Sequence, residues 1–379
     1  MMKKTPIGIY VHIPFCRKKC KYCDFLSAPG DSERIREYVS VLKKEIRSYK
    51  DIAESRVADT LYFGGGTPSV LDPEQIGEIT ETLKDAFDLK HLKEFTIEVN
   101  PGTVDFKKLK GYKDVGADRL SVGVQSADDD ELRLLGRIHS FAEAKECFAS
   151  AKEAGFSNIS ADIISALPGQ TLEKYEEDLR KIIELKPQHI SSYSLIVEPG
   201  TPFWADYGDK GKKRRDLPDE DTDRKMYALT KKMLEEEGFH RYEISNYSLK
   251  GFESKHNSAY WTGKEYIGLG LGASSLVENV RYSNIAELKE YLINPEKHII
   301  EEKLDKKALM SEFMILGLRM TEGVSKNKFL SRFGTEPDNE YGDILRRFER
   351  LGVIRNEGDR ICLTDYGLDV SNMVFEEFL

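Results

Sequence analysis

The chain has 379 residues, with 57 Lys+Arg against 66 Asp+Glu and a formal net charge of −9. At 40% hydrophobic and 32% charged residues it reads as a globular chain with a core, long enough for one large domain and an appendage or for two domains. It has no apolar run of eighteen for a membrane span and no secretory signal in its first residues, and its acidity argues against nucleic acid held by bulk charge.

In chain order, residues 7–13 read as a strand and 34–49 as a helix. Strand-like stretches follow at 60–63, 95–99, 119–124, 159–164 and 189–195, where short apolar runs are bounded by turn residues. Between them lie segments of helical spacing at 73–87, 104–112, 129–135, 141–154 and 172–185. Six βα repeats with short connections predict a parallel sheet, as an open doubly wound sheet or a partial (β/α) barrel. Residues 210–215, Lys-Gly-Lys-Lys-Arg-Arg, read as a solvated basic loop. A long helix is expected over 219–237, then an irregular stretch rich in Gly and aromatics over 242–275. Beyond 300 the texture changes: helices at 307–320, 326–333 and 340–351, short strands at 353–355 and 360–363, and a closing helix at 366–378. That order is winged-helix-like. With 11 Lys+Arg against 14 Asp+Glu over 304–379, a packing or partner role is expected there rather than DNA binding. The expected domains are 1–210, 211–300 and 301–379.

The five cysteines divide unevenly. Cys147 and Cys362 stand alone and read as small buried residues. Cys16, Cys20 and Cys23 fall within eight residues directly after the first strand. An odd, clustered count is not a disulfide framework and points to a metal or cluster site in a reducing cytoplasm. Three thiolates can hold three irons of a [4Fe–4S] cube and leave the fourth iron open. A structural zinc site would need a fourth protein ligand, such as His12. Arg17, Lys18, Lys19 and Lys21 make the loop electropositive, which favours thiolates. Polar residues also interrupt the strands near their C-terminal ends, where parallel α/β folds place their sites. They are Gly64-Gly65-Gly66-Thr67, Glu98, Gln125 and Asp162.

Cys-x3-Cys-x2-Cys after the first strand resembles the radical S-adenosylmethionine (SAM) superfamily. The resemblance implies a radical SAM partial (β/α)6 TIM-like barrel, a [4Fe–4S] cluster on Cys16, Cys20 and Cys23, and SAM chelated to the open iron. It also implies reductive cleavage of SAM to a 5′-deoxyadenosyl radical. Six segments narrow the likeness: residues 10–16, Phe63-Gly-Gly-Gly-Thr-Pro, Glu98-Val-Asn-Pro-Gly, Arg119-Leu-Ser-Val-Gly-Val-Gln, Leu135-Gly-Arg-Ile-His, and Asp162 through Leu167-Pro-Gly-Gln-Thr. They resemble the coproporphyrinogen dehydrogenase (HemN) group over nearly the whole chain. On that likeness Tyr10, Gly65, Gly66, Thr67, Glu98, Gln125, Arg137 and Asp162 line the SAM site, with Tyr22 of the cluster loop. Arg137 and Gln125 suit the SAM carboxylate, Glu98 its ammonium, and Asp162 the ribose hydroxyls.

Two departures shift the expectation. HemN enzymes carry a further cysteine two positions after the third, where this chain has Phe25, and a longer arm before the first. Both departures resemble the sister group, HemW, regarded as haem chaperones of respiratory enzymes. Residues 256–261, His-Asn-Ser-Ala-Tyr-Trp, resemble that group's HNxxYW motif. His256 could ligate haem iron while Tyr260 and Trp261 stack on the porphyrin. The same residues equally fit a hydrogen-bonded histidine with Trp261 packed under Gly263, Gly268, Gly270 and Gly272. His12 and His139 read as structural. The expected function is thus a haem chaperone, with haem as cargo, a respiratory haem protein as recipient and a reducing electron donor. No nucleic acid partner and at most peripheral membrane contact are expected. The alternative is oxygen-independent coproporphyrinogen III dehydrogenase, or another radical SAM enzyme acting on a tetrapyrrole.

Overall fold

The computed structural model of the chain describes residues 4–379. Residues 1–3, the first of those in which no secretory signal is expected, lie outside the described residues. Six parallel strands form the centre: β1 (Thr5–Ile13), β2 (Arg56–Gly65), β3 (Glu94–Val99), β4 (Arg119–Gln125), β5 (Ile159–Ser165) and β6 (His189–Ser194). Helices at Ser32–Ser48, Pro73–Ala86, Phe106–Asp114, Phe141–Glu153 and Leu172–Ile183 make the crossovers. Six further strands flank them: β7 (His240–Arg241), β8 (Asn246–Ser248), β9 (Tyr266–Leu269), β10 (Ser274–Val277), β11 (Val280–Asn284) and β12 (His298–Lys303). The sheet order is β12-β11-β10-β9-β1-β2-β3-β4-β5-β6-β8-β7. β9 joins β1 in parallel and β8 joins β6 antiparallel. The sheet is the partial radical SAM barrel expected from the sequence.

The period of two along each central strand decides what lies on its two faces. Ile7, Ile9 and Val11 of β1, Leu61 and Phe63 of β2, and Leu120, Val122 and Val124 of β4 pack with helix residues such as Leu42, Ile79 and Phe148 in one core. Their alternates point the other way and are polar: Thr60 and Tyr62, Glu94 and Glu98, Arg119 and Ser121, Ser160 and Asp162, His189 and Ser191. The barrel lumen is therefore a hydrogen-bonded interior rather than a second greasy core. Its members must satisfy one another or a ligand.

A second core, built on Met314, Leu318, Phe329, Leu345, Phe348 and Ile361, organises the C-terminal region. Helices Lys306–Arg319, Lys326–Phe333 and Pro337–Arg350 pack with a three-stranded antiparallel sheet of Val324–Ser325, Arg360–Leu363 and Ile354–Glu357. This is the winged-helix-like order. It meets the barrel through Arg241 Nη2 to Asp365 Oδ1 (2.7 Å), the Thr321 N–H to the Tyr242 carbonyl (3.0 Å), and the Arg319 guanidinium 4.2 Å over the Trp261 ring. Cys147 is buried, and Cys362 half-buried in a strand.

Two expectations need correction. The stretch 242–275 is not irregular: it holds β8, β9, the first half of β10 and a helix, Lys255–Trp261. That helix has only seven residues, too few to show a period. Tertiary contacts rather than propensity hold it. The closing helix is two, Asp365–Asp369 and Ser371–Glu376, because Val370 between them leaves helical geometry (φ −110°, ψ 24°).

Candidate active site

The loop after β1 carries the three cysteines. Its ends are tied by a short parallel pairing of Phe15–Cys16 with Ala28–Pro29. Its middle is clamped by the Lys21 N–H on the Leu135 carbonyl (2.9 Å) and the Phe203 N–H on the Lys21 carbonyl (3.0 Å). His12 reaches from β1 to the Leu26 carbonyl through Nε2 (2.9 Å), so it braces the loop rather than ligating metal. Two polar side chains aim at the sulfurs. Thr67 Oγ1 donates to Cys16 Sγ (3.3 Å), and Arg137 Nη1 to Cys20 Sγ (3.6 Å). Such donors stabilise and orient thiolate ligands. Burial pushes the Cys23 thiol up, and the neighbouring Cys20 and Cys16 add to it. A bound cation reverses that balance. Among the described residues no three His, Cys, Asp or Glu side chains gather around a single metal ion. Three thiolates on one loop suit a [4Fe–4S] cube with its fourth iron left open.

Gly66 shows how closely the next loop approaches. A Cβ there would lie 2.8 Å from the Phe15 carbonyl oxygen and 3.1 Å from Cys16 Sγ. Gly65 sits at φ +110°, a conformation side chains rarely adopt. Beneath these loops opens a cavity of about 490 Å³, within the range of small-ligand sites. It is lined by all three cysteines and by Tyr22, Gly65, Gly66, Thr67, Glu98, Gln125, Arg137 and Asp162. Glu98 accepts from Tyr62 Oη (2.8 Å) and the Gly65 N–H (3.2 Å). Burial raises its pKa to about 7, with Asp162 adding to the rise. Asp162 accepts from Ser121 (2.8 Å) and Ser160 (3.1 Å), and burial raises its pKa also. Gln125 ends β4 at φ 71°, a strained conformation of the kind that clusters at functional sites. Arg137 donates to the Gly123 carbonyl (2.7 Å) and to Asn100 Oδ1.

Tyr10 departs from the expected set. It does not line the cavity: it stacks on Tyr62 and its hydroxyl meets His12 Nδ1 at 3.1 Å. Several lining residues escaped sequence reasoning. Asn100 bridges Thr67 Oγ1 (2.9 Å) and Arg137, and it lay in the quoted Glu98-Val-Asn segment. Tyr62, Ser121, Ser191 and Tyr193 are the lumen's alternates, and only strand phase could have flagged them. Arg119 is 1% exposed and lines the cavity, while its Nε and Nη1 have no hydrogen-bond partner.

The HNxxYW helix sits at the opposite end of the barrel from the cysteines. Its first turn is held by Glu94, which accepts the N–H groups of Lys255 (2.7 Å) and His256 (3.2 Å). His256 is 2% exposed. Its Nδ1 lies 2.9 Å from Thr60 Oγ1, its Nε2 lies 2.8 Å from Tyr260 Oη, and its ring stacks on Tyr62. Burial, aided by Arg119, lowers its pKa to about 3. With both nitrogens engaged, this neutral histidine has no lone pair free for iron. In this structure His256, Tyr260 and Trp261 are thus engaged within the protein, as the hydrogen-bonded reading of the histidine expects. Tyr260 is spent on His256 and on an edge contact with Tyr266, and Trp261 lies under Arg319. Asn257, between them, is the helix residue that lines the cavity. His256→Ala should lower unfolding free energy by about 1–3 kcal/mol by stranding two buried hydroxyls. It should leave any haem spectrum unchanged. A lost haem band at wild-type stability would restore the ligand role.

A parallel barrel with a three-cysteine loop over a polar cavity at its C-terminal strand ends is the arrangement of the radical SAM class. The Radical SAM superfamily matches residues 10–182, and the HemN C-terminal domain matches residues 304–370. The solved HemN structure from Escherichia coli, described as coproporphyrinogen III oxidase and a radical SAM enzyme, superposes at a TM-score of 0.86. It is 23% identical, with 99% of this chain and 90% of that one covered, a likeness of fold alone. The protein named Heme chaperone HemW from Lactococcus lactis is 39% identical over 100% of this chain and 98% of its own. That of Bacillus subtilis is 37% identical over 98% of each. The chain belongs to the HemW family of radical SAM proteins. The class implies a [4Fe–4S] cluster and SAM, and the cysteines and cavity residues fit both.

Proposed function

We propose that the protein is a haem chaperone. It would bind haem and pass it to a haem protein of respiration, using a [4Fe–4S] cluster and SAM. The observation that carries this over the porphyrinogen enzyme is Phe25. Where the dehydrogenase group has a further cysteine, this chain sets an exposed phenyl ring at the cavity. Cys16, Cys20 and Cys23 would hold the cluster, with Thr67 and Arg137 tuning its thiolates. Gly65, Gly66 and Thr67 give SAM close backbone approach. Arg137 and Gln125 face its carboxylate, Glu98 its amino group, and Asp162 its ribose. Bound there, the cluster and SAM supply one-electron cleavage chemistry, which in this reading gates haem transfer rather than altering a porphyrin. Among the described residues no helix is long and apolar enough to cross a membrane. We place the protein in the cytoplasm, with peripheral membrane contact at most, no nucleic acid partner, and a reducing protein as electron donor.

The test is a haem titration beside an anaerobic coproporphyrinogen assay on one cluster-loaded sample. Haem binding without porphyrinogen consumption is expected. Protoporphyrinogen formed at ordinary turnover would overturn the reading.

The Glu98 role carries a pH signature. Its pKa in the folded chain, about 7, lies above the ordinary 4.5. Its contribution to stability is therefore full below pH 4.5 and is lost as pH rises through 7. SAM binding runs the other way, because the ionised carboxylate is the better acceptor for an amino group. Affinity should rise as pH climbs toward 7, by up to about tenfold per unit, then level off. In Glu98→Gln it should be weaker and flat across that window. A wild-type slope in the variant would remove Glu98 from the amino group.

A further inference from the structure

The cavity is chemically divided. Its depths are polar, from Glu98, Asn100 and Arg137 down to Ser121, Asp162 and Arg119. Its mouth is apolar. Phe25 and Ile196 both line it, yet are 67% and 69% exposed. Tyr193 also lines the cavity, with its ring partly exposed. Single exposed apolar side chains need no explanation, but several gathered at one opening mark a binding surface. Lys18 and Lys19 are on the same rim, and Lys19 Nζ donates to the Phe25 carbonyl (3.0 Å), so one ammonium is pinned beside the phenyl ring. Asp24 and Glu198 also line the mouth, so the rim is not a general anion trap. Of its two lysines, Lys19 is held next to Phe25.

We propose that this mouth is the haem seat. The macrocycle lies on Phe25, Tyr193 and Ile196, its two propionates reach Lys18 and Lys19, and SAM sits beneath it. A flat apolar molecule with two carboxylates on one edge matches an apolar rim whose lining includes two lysines, one of them held beside Phe25. The proposal rests on the haem-chaperone reading and names the seat that reading lacks. It also fits the histidines. None lines the cavity among the described residues, and His12, His139, His189 and His256 are buried in hydrogen bonds. Haem held by ring contacts and propionates, without a histidine on its iron, is cargo that can be released. The seat also orders events: SAM enters before haem covers the opening.

The experiment titrates haem and haem dimethyl ester into cluster-loaded, SAM-bound protein at matched iron and sulfide content. Phe25→Ser with Ile196→Ser should weaken both ligands by about tenfold, as removal of apolar anchors does. Lys18→Glu with Lys19→Glu should weaken haem by about tenfold and leave the ester unchanged. All four residues are exposed, so the fold should survive. Wild-type haem affinity in both double variants would overturn the seat while leaving the chaperone reading standing. Normal haem affinity with lost transfer to a recipient would also overturn it, making the mouth a protein-docking surface. Failure of the wild-type protein to bind haem would overturn the chaperone reading itself, and the seat with it.

Discussion

Alanine at Cys16, Cys20 or Cys23 is expected to leave reconstituted protein with almost no iron or acid-labile sulfide. The effect should be nearly all-or-none, because a cube held by two thiolates has two irons open to solvent and to chelators. The rest of the molecule should hardly notice. The loop is held by main-chain bonds from Lys21, Ala28 and Phe203 and by His12, none of which uses a thiol. Iron and sulfide analysis, with circular dichroism to show retained fold, checks both halves. A variant with a full complement of iron and sulfide would sink the ligand assignment. Cys147→Ala and Cys362→Ala are the controls and should load normally, since Cys147 is buried in the main core and Cys362 bonds the Glu322 carbonyl in the C-terminal sheet.

The second large effect is expected at Glu94. This carboxylate is 3% exposed and binds the first N–H groups of the HNxxYW helix. It is also the leading counter-charge of Arg119, whose Nε and Nη1 have no hydrogen-bond partner. Glu94→Ala would uncap the helix and leave a buried guanidinium short of its main compensation. Leaving the buried His256 N–H without its acceptor costs about 1–3 kcal/mol, and the lost counter-charge adds to that. Denaturant unfolding should show a lower midpoint at unchanged slope. Glu94→Gln, which keeps an acceptor but loses the charge, should fall between. Stability within about 0.5 kcal/mol of wild type in the alanine variant would show that surface-like tolerance applies there, and that Arg119 is compensated elsewhere.

How much of this was legible in the sequence depended on the kind of signal. The cysteine spacing and the glycine run are local, and each needs its residue types for a reason visible in one loop. The central strands and crossover helices were legible from period and bounding turn residues; caps such as the one at Ser140, which takes the Glu143 N–H while Glu143 returns to the Ser140 N–H, became visible in the structure. Strand-end polar residues were legible as a group, but their alternates were not. Tyr62, Arg119 and Ser191 face the lumen by phase alone, and an unclosed sheet would have placed them against solvent or helices. Tyr10 has the right phase but lies behind Tyr62. Which of the two readings of His256 applies was not legible, for a physical reason. A histidine's chemistry depends on where its two nitrogens point, and Thr60, one of its partners, lies 196 positions away. Phe25 was legible as a missing cysteine, but not as an exposed ring at an opening.

The Trp261 contact gives the molecule a built-in reporter. There are two tryptophans. Trp204 is 36% exposed near the cluster loop, whereas Trp261 lies under the Arg319 guanidinium, with its indole Nε1 buried. The short helix that carries it is fastened to the barrel by Glu94 at one end and to the winged-helix-like region by Arg319 at the other. Neither unit can melt without exposing this indole, so heat or denaturant should unfold both in one cooperative transition. Its emission should shift at the same midpoint as the loss of helical dichroism.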